Sequence, residues 1–197
     1  MRSFFKFLYP TLILAAICLI VSLALSSTNM ITESRIARIE AKNTEKAMKR
    51  VLKADEYTEK NLEKDGKEIT YYEATKDNKV IGFIFTTSAN GYGGEVKVIT
   101  AIKDGKQRSI NTVEILDVSS ETPGLGQNAA KESFYDQFSS KTDTITVVKS
   151  AADSENNQIN AITGATITSK AVTKAVNEAL ELCKEIKTGT EGESNEK

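Results

Sequence analysis

The sequence predicts an α+β protein: a single N-terminal transmembrane helix followed by a domain with a largely antiparallel sheet and packed helices. Three observations predict it. No charged residue occurs between Lys6 and Glu33. Apolar–polar alternation broken by turn dipeptides runs from Ile69 to Val118. The last regular stretch repeats apolar residues at helical spacing.

The apolar core, Thr11 to Leu25, reads TLILAAICLIVSLAL. With Phe7, Leu8 and Tyr9 it approaches the ~20 residues that a spanning helix needs. Arg2 and Lys6 precede it and no acidic residue does, so the positive-inside tendency places the N-terminus in the cytoplasm and the remainder outside. Phe4, Phe5, Phe7 and Tyr9 suit the cytoplasmic interface. Ala24-Leu25-Ser26 would serve as a signal-peptidase site, but the apolar run is long for a signal core. Ile17 stands before Cys18 where a lipoprotein signal has a small residue. The expectation is an uncleaved anchor.

Residues 1–32 are therefore assigned to the cytoplasmic N-terminus and anchor, 33–68 to a helical linker, 69–187 to a folded domain and 188–197 to a disordered tail. From Glu33 to Lys53 an imperfect stripe of Ile36, Ile39, Ala47, Met48, Val51 and Leu52 predicts a helix. Tyr57 to Glu68 is polar and contains the turn signal Asp65-Gly66. Ile69–Ala74 and Val80–Thr86 flank Asp77-Asn78, a hairpin pattern. Glu95 to Ile102 alternates as a half-buried strand should, Asp104-Gly105 marks a turn, and Ile110 to Val118 is the partner strand. A short helix is expected over Ala129–Phe138, a strand over Thr144–Val148 and a polar loop over Ala152–Asn160. The last helix, beginning near Thr168, carries Ala171, Val172, Ala175, Val176, Ala179, Leu182, Cys183 and Ile186 on one face. The tail from Thr188 is rich in Gly, Glu, Ser and Asn.

Composition narrows the chemistry. A net charge of −1 gives no reason to expect nucleic-acid binding. The chain has no histidine, which excludes His-based triads and His-ligated haem or zinc. Cys18 lies in the apolar run and Cys183 in a helical pattern, so the two form neither a metal cluster nor an expected disulfide. Redox chemistry here would have to be carried by a cofactor.

The most informative stretch is Thr163-Gly164-Ala165-Thr166, running through Ile167, Thr168, Ser169 and Lys170 into the last helix. Glycine allows close backbone approach, and a helix N-terminus suits a phosphate. Read alone, the stretch is an ordinary Ser/Thr N-cap after a turn. Glu121-Thr122-Pro123-Gly124-Leu125-Gly126 follows a strand and contains a tight-turn dipeptide. Its two glycines could admit a flat ring that covers Leu125, or it is a plain strand-to-helix connection. Gly91-Tyr92-Gly93-Gly94 alone is a flexible loop.

Together the three strings are specific. Asn160-Ala161-Ile162-Thr163-Gly164-Ala165-Thr166 resembles the flavinylation motif D-x-x-[S/T]-G-A-T of the FMN-binding domain family, and the other two strings resemble that family's E-T-P-G-L-G and G-Y-G-G segments, in the same order. The resemblance covers roughly residues 80 to 186. Within the family, the short anchored layout is most similar to the G subunit of Rnf electron-transport complexes.

The resemblance implies FMN bound covalently by a phosphoester to Thr166, attached by a separate Mg-dependent flavin transferase that uses FAD. It further implies that Tyr92, Glu121, Thr122, Gly124, Leu125, Thr163, Gly164, Ala165, Thr168 and Ser169 surround the cofactor, with no catalytic residue and no metal site. The function implied is an electron-carrier subunit of a membrane-bound ferredoxin:NAD oxidoreductase that couples electron transfer to ion translocation. Its partners would be the other membrane and peripheral subunits, and its flavin domain would lie on the extracytoplasmic side of the cell membrane. Two alternatives stand: the C subunit of the sodium-pumping NADH:quinone reductase, usually longer between anchor and domain, and an anchored binding or sensor domain without redox function. Asn160 replaces the consensus Asp and lacks its charge, and Ser119-Ser120 stands where a His often precedes the second loop.

Overall fold

The computed structural model describes residues 2–64 and 66–186. The expected tail, 188–197, and Asp65 of the first turn signal lie outside the described residues. The chain divides into two compact units, Met1–Asn43 and Thr44–Lys197.

The first unit belongs to helix α1, Arg2–Val51, whose last turns enter the second unit. Its apolar residues, among them Leu12, Leu14, Leu19, Ile20, Leu23 and Leu25, are exposed. The helix is long and apolar enough to cross a bilayer. Hydroxyls at the end of the apolar run bond back to the preceding turn: Ser27 to the Leu23 carbonyl at 2.8 Å, Thr28 to Ala24 at 2.9 Å and Thr32 to Thr28 at 2.9 Å. Polar groups in an apolar medium need such internal partners. Ile36 and Ile39, expected on the buried stripe, are exposed, because burial begins only where the helix meets the sheet.

The second unit is built on a five-stranded antiparallel meander in the order β1-β2-β3-β4-β5. The strands are β1 Glu56–Lys64, β2 Lys67–Lys76, β3 Lys79–Asn90, β4 Glu95–Lys103 and β5 Ser109–Asp117. β1 corrects the reading of that stretch as part of a helical linker. It is an edge strand with only Tyr57, Leu62 and Lys64 half-buried, so its apolar alternation is nearly absent. Charges along an edge are also what blocks further strand addition. Asp77 and Asn78 both take positive φ (49° and 59°), which closes the expected hairpin with the twist that such turns favour.

Both faces of the sheet are covered. On one, Val96, Val98 and Ile102 of β4 with Phe83 and Phe85 of β3 pack against helix α3, Thr166–Glu185. On the other, Ala47, Met48, Val51 and Leu52 from the end of α1 pack against Ala74, Ile84, Ile99 and Ala101. A Cβ on Gly82 would lie 2.9 Å from Leu52 and 2.4 Å from the Ile102 carbonyl, so that position must stay bare. A register shift in β5 leaves Asn111 unpaired in the ladder. Its side-chain amide donates to the Val51 carbonyl, ending α1.

The expected helix over 129–138 is broken. A 3-10 turn at Gly126–Ala130 is followed by α2, Glu132–Tyr135, and a second 3-10 turn at Asp136–Phe138. Buried Ala129, Phe134 and Phe138 fix this path against the core. The expected polar loop ends in a short strand: β6, Thr146–Val148, pairs in parallel with β7, Gln158–Asn160. Only three residues pair, and only Ile159 of β7 is buried, too short a signal for periodicity.

Candidate functional site

The three motif strings converge at one end of the sheet. The turn Gly91–Gly94 joins β3 to β4, with the Gly91 amide donating to the Gly94 carbonyl at 2.7 Å. The loop beginning at Glu121 leaves β5. In it Leu125 donates to the Thr122 carbonyl at 3.1 Å across Pro123-Gly124, with Gly124 at φ 76°. Pro at the second and Gly at the third position define a type II turn. The third string makes a matching turn: Ala165 donates to the Ile162 carbonyl at 2.9 Å and Gly164 takes φ 78°. The two turns touch, since a Cβ on Gly164 would lie 3.0 Å from Leu125 Cδ2.

Glu121 ties the loops together. This residue is 2% exposed. Oε1 accepts the amides of Tyr92 (2.8 Å) and Gly93 (3.0 Å), and Oε2 accepts the Thr168 hydroxyl (2.7 Å). The glycines make room for it. A Cβ on Gly91 would stand 2.1 Å from Oε1, one on Gly126 2.4 Å from Oε2, and one on Gly93 2.0 Å from the Ser120 carbonyl. Gly126 packs directly against Glu121 and Thr168.

Around these contacts lies a cleft of about 510 Å³ lined by Tyr92, Glu121, Thr122, Leu125, Gly126, Gly164, Ala165, Thr166, Ile167 and Thr168. Tyr92 is 73% exposed, Leu125 42% and Ile167 53%. Among the described residues of the second unit, only Val80 adds another large exposed hydrophobic.

Thr166 is the first residue of α3, and the N-cap, Ala165, offers no side-chain cap. The expected helix start near Thr168 therefore lies two residues late, and Thr166 does not act as the N-cap. Its half-buried hydroxyl makes no hydrogen bond within the described residues. The first N–H groups of a helix lack intrahelical partners, so the cleft wall at Thr166 is electropositive.

The cleft brings together Tyr92, Glu121, Thr122, Leu125, Gly164, Ala165, Thr166 and Thr168 of the expected set, and leaves out Gly124, Thr163 and Ser169. The Gly124 carbonyl accepts the Asn128 side-chain amide at 2.6 Å. Thr163 is exposed at the turn. Ser169 is fully buried; its hydroxyl accepts the Ile162 amide (3.0 Å) and donates to the Ala165 carbonyl (2.9 Å), gripping both ends of the turn. Ile167 was not anticipated. Its only signal is a large apolar residue off the buried face of the last helix. A larger groove, about 750 Å³, runs beside α3 between Lys64, Lys67, Lys170 and Lys174 and contains none of the motif residues.

Asn160, at the motif's Asp position, accepts the Ala152 amide through Oδ1 at 3.0 Å. Asp117 closes the approach to the second loop by accepting the Ser119 amide at 2.8 Å, a bond that lowers its pKa. Cys183 is remote from the cleft, and burial pushes its thiol up to about 11, the behaviour of a core residue.

Residues 91–181 match the FMN-binding domain family. A stretch of 130 residues is 45% identical to the G subunit of the proton-translocating ferredoxin:NAD(+) oxidoreductase complex of Clostridium ljungdahlii, covering 65% of this chain and 64% of that protein. The G subunit of the Na(+)-translocating ferredoxin:NAD(+) oxidoreductase complex of Acetobacterium woodii is 34% identical over 188 residues, 87% of this chain and 88% of that one. The fold is shared with NqrC of Shewanella oneidensis (TM-score 0.51, 18% identity, 61% of this chain and 62% of that one). It is shared as well with the C subunit of the Na(+)-translocating NADH-quinone reductase of Parabacteroides distasonis (TM-score 0.52, 22% identity, 64% and 74%). With an FMN-binding domain behind an apolar helix, and a G subunit matched over most of both lengths, the chain belongs to the G-subunit family of ion-translocating ferredoxin:NAD(+) oxidoreductase complexes.

Proposed function

We propose that this chain holds FMN as a phosphoester on Thr166 and passes electrons between carriers of a membrane-bound ferredoxin:NAD oxidoreductase complex that moves ions. The observation that carries the reading is the convergence of three loops on a cleft where a helix N-terminus, an uncommitted threonine hydroxyl and three exposed apolar side chains meet. Each suits one part of the cofactor. The helix end suits the phosphate. Leu125, Ile167 and Tyr92 suit the apolar faces of the ring, and the Thr122 hydroxyl an edge. The cleft volume falls within the range typical of cofactor sites.

Attachment joins the Thr166 oxygen to the flavin-side phosphorus of FAD and breaks the pyrophosphate, releasing AMP and a proton. No histidine is present to act as base, so a separate flavin transferase supplies the activation. When bound, FMN supplies the electron-carrying chemistry, and this chain's own residues bind it, orient it and shield it. The anchor runs with its N-terminus in the cytoplasm, and the flavin domain faces the other side. Peptide mass spectrometry tests the reading: the tryptic peptide from Ser150 to Lys170 should carry the FMN mass, and a Thr166→Ala chain should carry none. Covalent flavin retained by Thr166→Ala would refute the assignment.

A further inference from the structure

We propose that Glu121 is a positioning residue whose buried charge holds the cleft's three loops together and keeps the reduction potential of the flavin low. This rests on reading the cleft as the FMN site. Oε1 faces two backbone amides, Tyr92 and Gly93, which can only donate. That oxygen is therefore an acceptor, and the Thr168 hydroxyl donates to the other. The space is cut to the carboxylate, since a methyl group on Gly91 or Gly126 would collide with its oxygens.

Among the described residues no cation balances it: no Lys or Arg lines the cleft and no ion pair reaches Glu121. Its stabilisation comes from the amide donors and, through Thr168, from the positive end of α3. A ring bound in the same cleft would face a wall whose carboxylate is itself only 2% exposed. Reduction of the flavin to its anionic two-electron form adds two electrons, from a carrier of a partner subunit, and one proton from water, so one negative charge remains on the ring. Electron density placed near a buried carboxylate is disfavoured more strongly than it would be in solvent. The same charge thus serves the fold of the site and its low potential.

Glutamine separates the two roles. In Glu121→Gln the side-chain oxygen still accepts the Tyr92 and Gly93 amides, and the NH2 group donates to the Thr168 oxygen, so the brace persists without the charge. Glu121→Ala removes both. The full-length chain in lipid nanodiscs would be titrated reductively with dithionite, and amide exchange at Tyr92 and Gly93 would be followed in a flavin-free Thr166→Ala background. In Glu121→Gln, covalent flavin and amide protection should persist. Its reduced-to-oxidised ratio at a fixed potential should rise at least tenfold, about 30 mV for a two-electron couple. In Glu121→Ala the amides should exchange freely. An unchanged potential in flavin-loaded Glu121→Gln overturns the proposal, as do unprotected amides in the parent. So does loss of covalent flavin from Glu121→Gln with its amides still protected, since the carboxylate would then belong to the attachment chemistry. Parent protein without flavin on Thr166 would sink the functional reading and the potential with it, while the exchange data still decide the brace.

Discussion

Ser169 shows how a residue outside the cleft governs one inside it. Its hydroxyl accepts from Ile162 and donates to Ala165, so the turn presenting Thr166 is closed from beneath. Ser169→Ala would leave the half-buried Ile162 amide without a partner, at a cost of about 1–3 kcal/mol. For a domain of this size each kcal/mol moves the midpoint by about 2–4 °C. Thermal unfolding of Ser169→Ala should therefore show a loss of several degrees, and its Thr166 should acquire flavin more slowly in a timed mass-spectrometric assay. A variant with the parent's midpoint and attachment rate would show that the turn holds without Ser169. Which residues gather at the cleft was legible through the resemblance that the three strings carry together; read singly, the strings holding Tyr92, Glu121, Thr122, Leu125 and Thr166 were ordinary turns. What each does was less so. That Glu121 and Ser169 face inward depends on loops brought together from 29 and 47 positions away in one case and on the helix packing in the other, and no periodicity reports that.

At the scale of elements, α1 belongs to two environments. Its last turns, with Leu52, form the second core: Ala47, Met48, Val51 and Leu52 cover Ile84, Ile99 and Ala101. Burying a side chain such as Met, Val or Leu contributes about 1.5–3 kcal/mol, and a whole domain is stable by only about 5–15 kcal/mol. A soluble chain beginning at Glu33 should thus unfold cooperatively, whereas one beginning at Ala54 should bind hydrophobic dyes and lack a thermal transition. A sharp transition in the shorter chain would remove α1 from the core. The stripe from Ile36 to Leu52 announced an amphipathic helix, but spacing alone could not say that only its end is covered. The hairpin at Asp77-Asn78, strand β4 and the buried face of α3 were legible for the opposite reason: each has a full local signal, in turn residues, alternation or helical spacing. β1 and β7 had none, since an edge strand and a three-residue strand bury too little to leave a pattern.

For the molecule as a whole, the charge-free run was the plainest feature of the sequence, and the folded unit was recognisable from its order of motifs. Orientation is a separate matter of charge. Arg2 and Lys6 stand unopposed before the apolar run, while Arg35, Arg38 and Lys42 follow it among Glu33 and Glu40. Counted as Lys and Arg alone, the far flank is the richer, and acidic residues offset that only slightly. Long domains, however, cross largely regardless of charge, and the folded unit starting at Thr44 is such a domain. The expected orientation, N-terminus inside and flavin domain outside, thus rests on Arg2 and Lys6 beside the start of the apolar run and on the length of the domain, not on a count of basic residues over both flanks. Protease added to intact spheroplasts should remove the chain beyond about Thr32 and leave a membrane-held fragment containing Cys18. Reagents that cannot cross the membrane should reach the FMN without lysis. A domain that resists protease until the cells are opened would reverse the orientation and place electron entry on the cytoplasmic side.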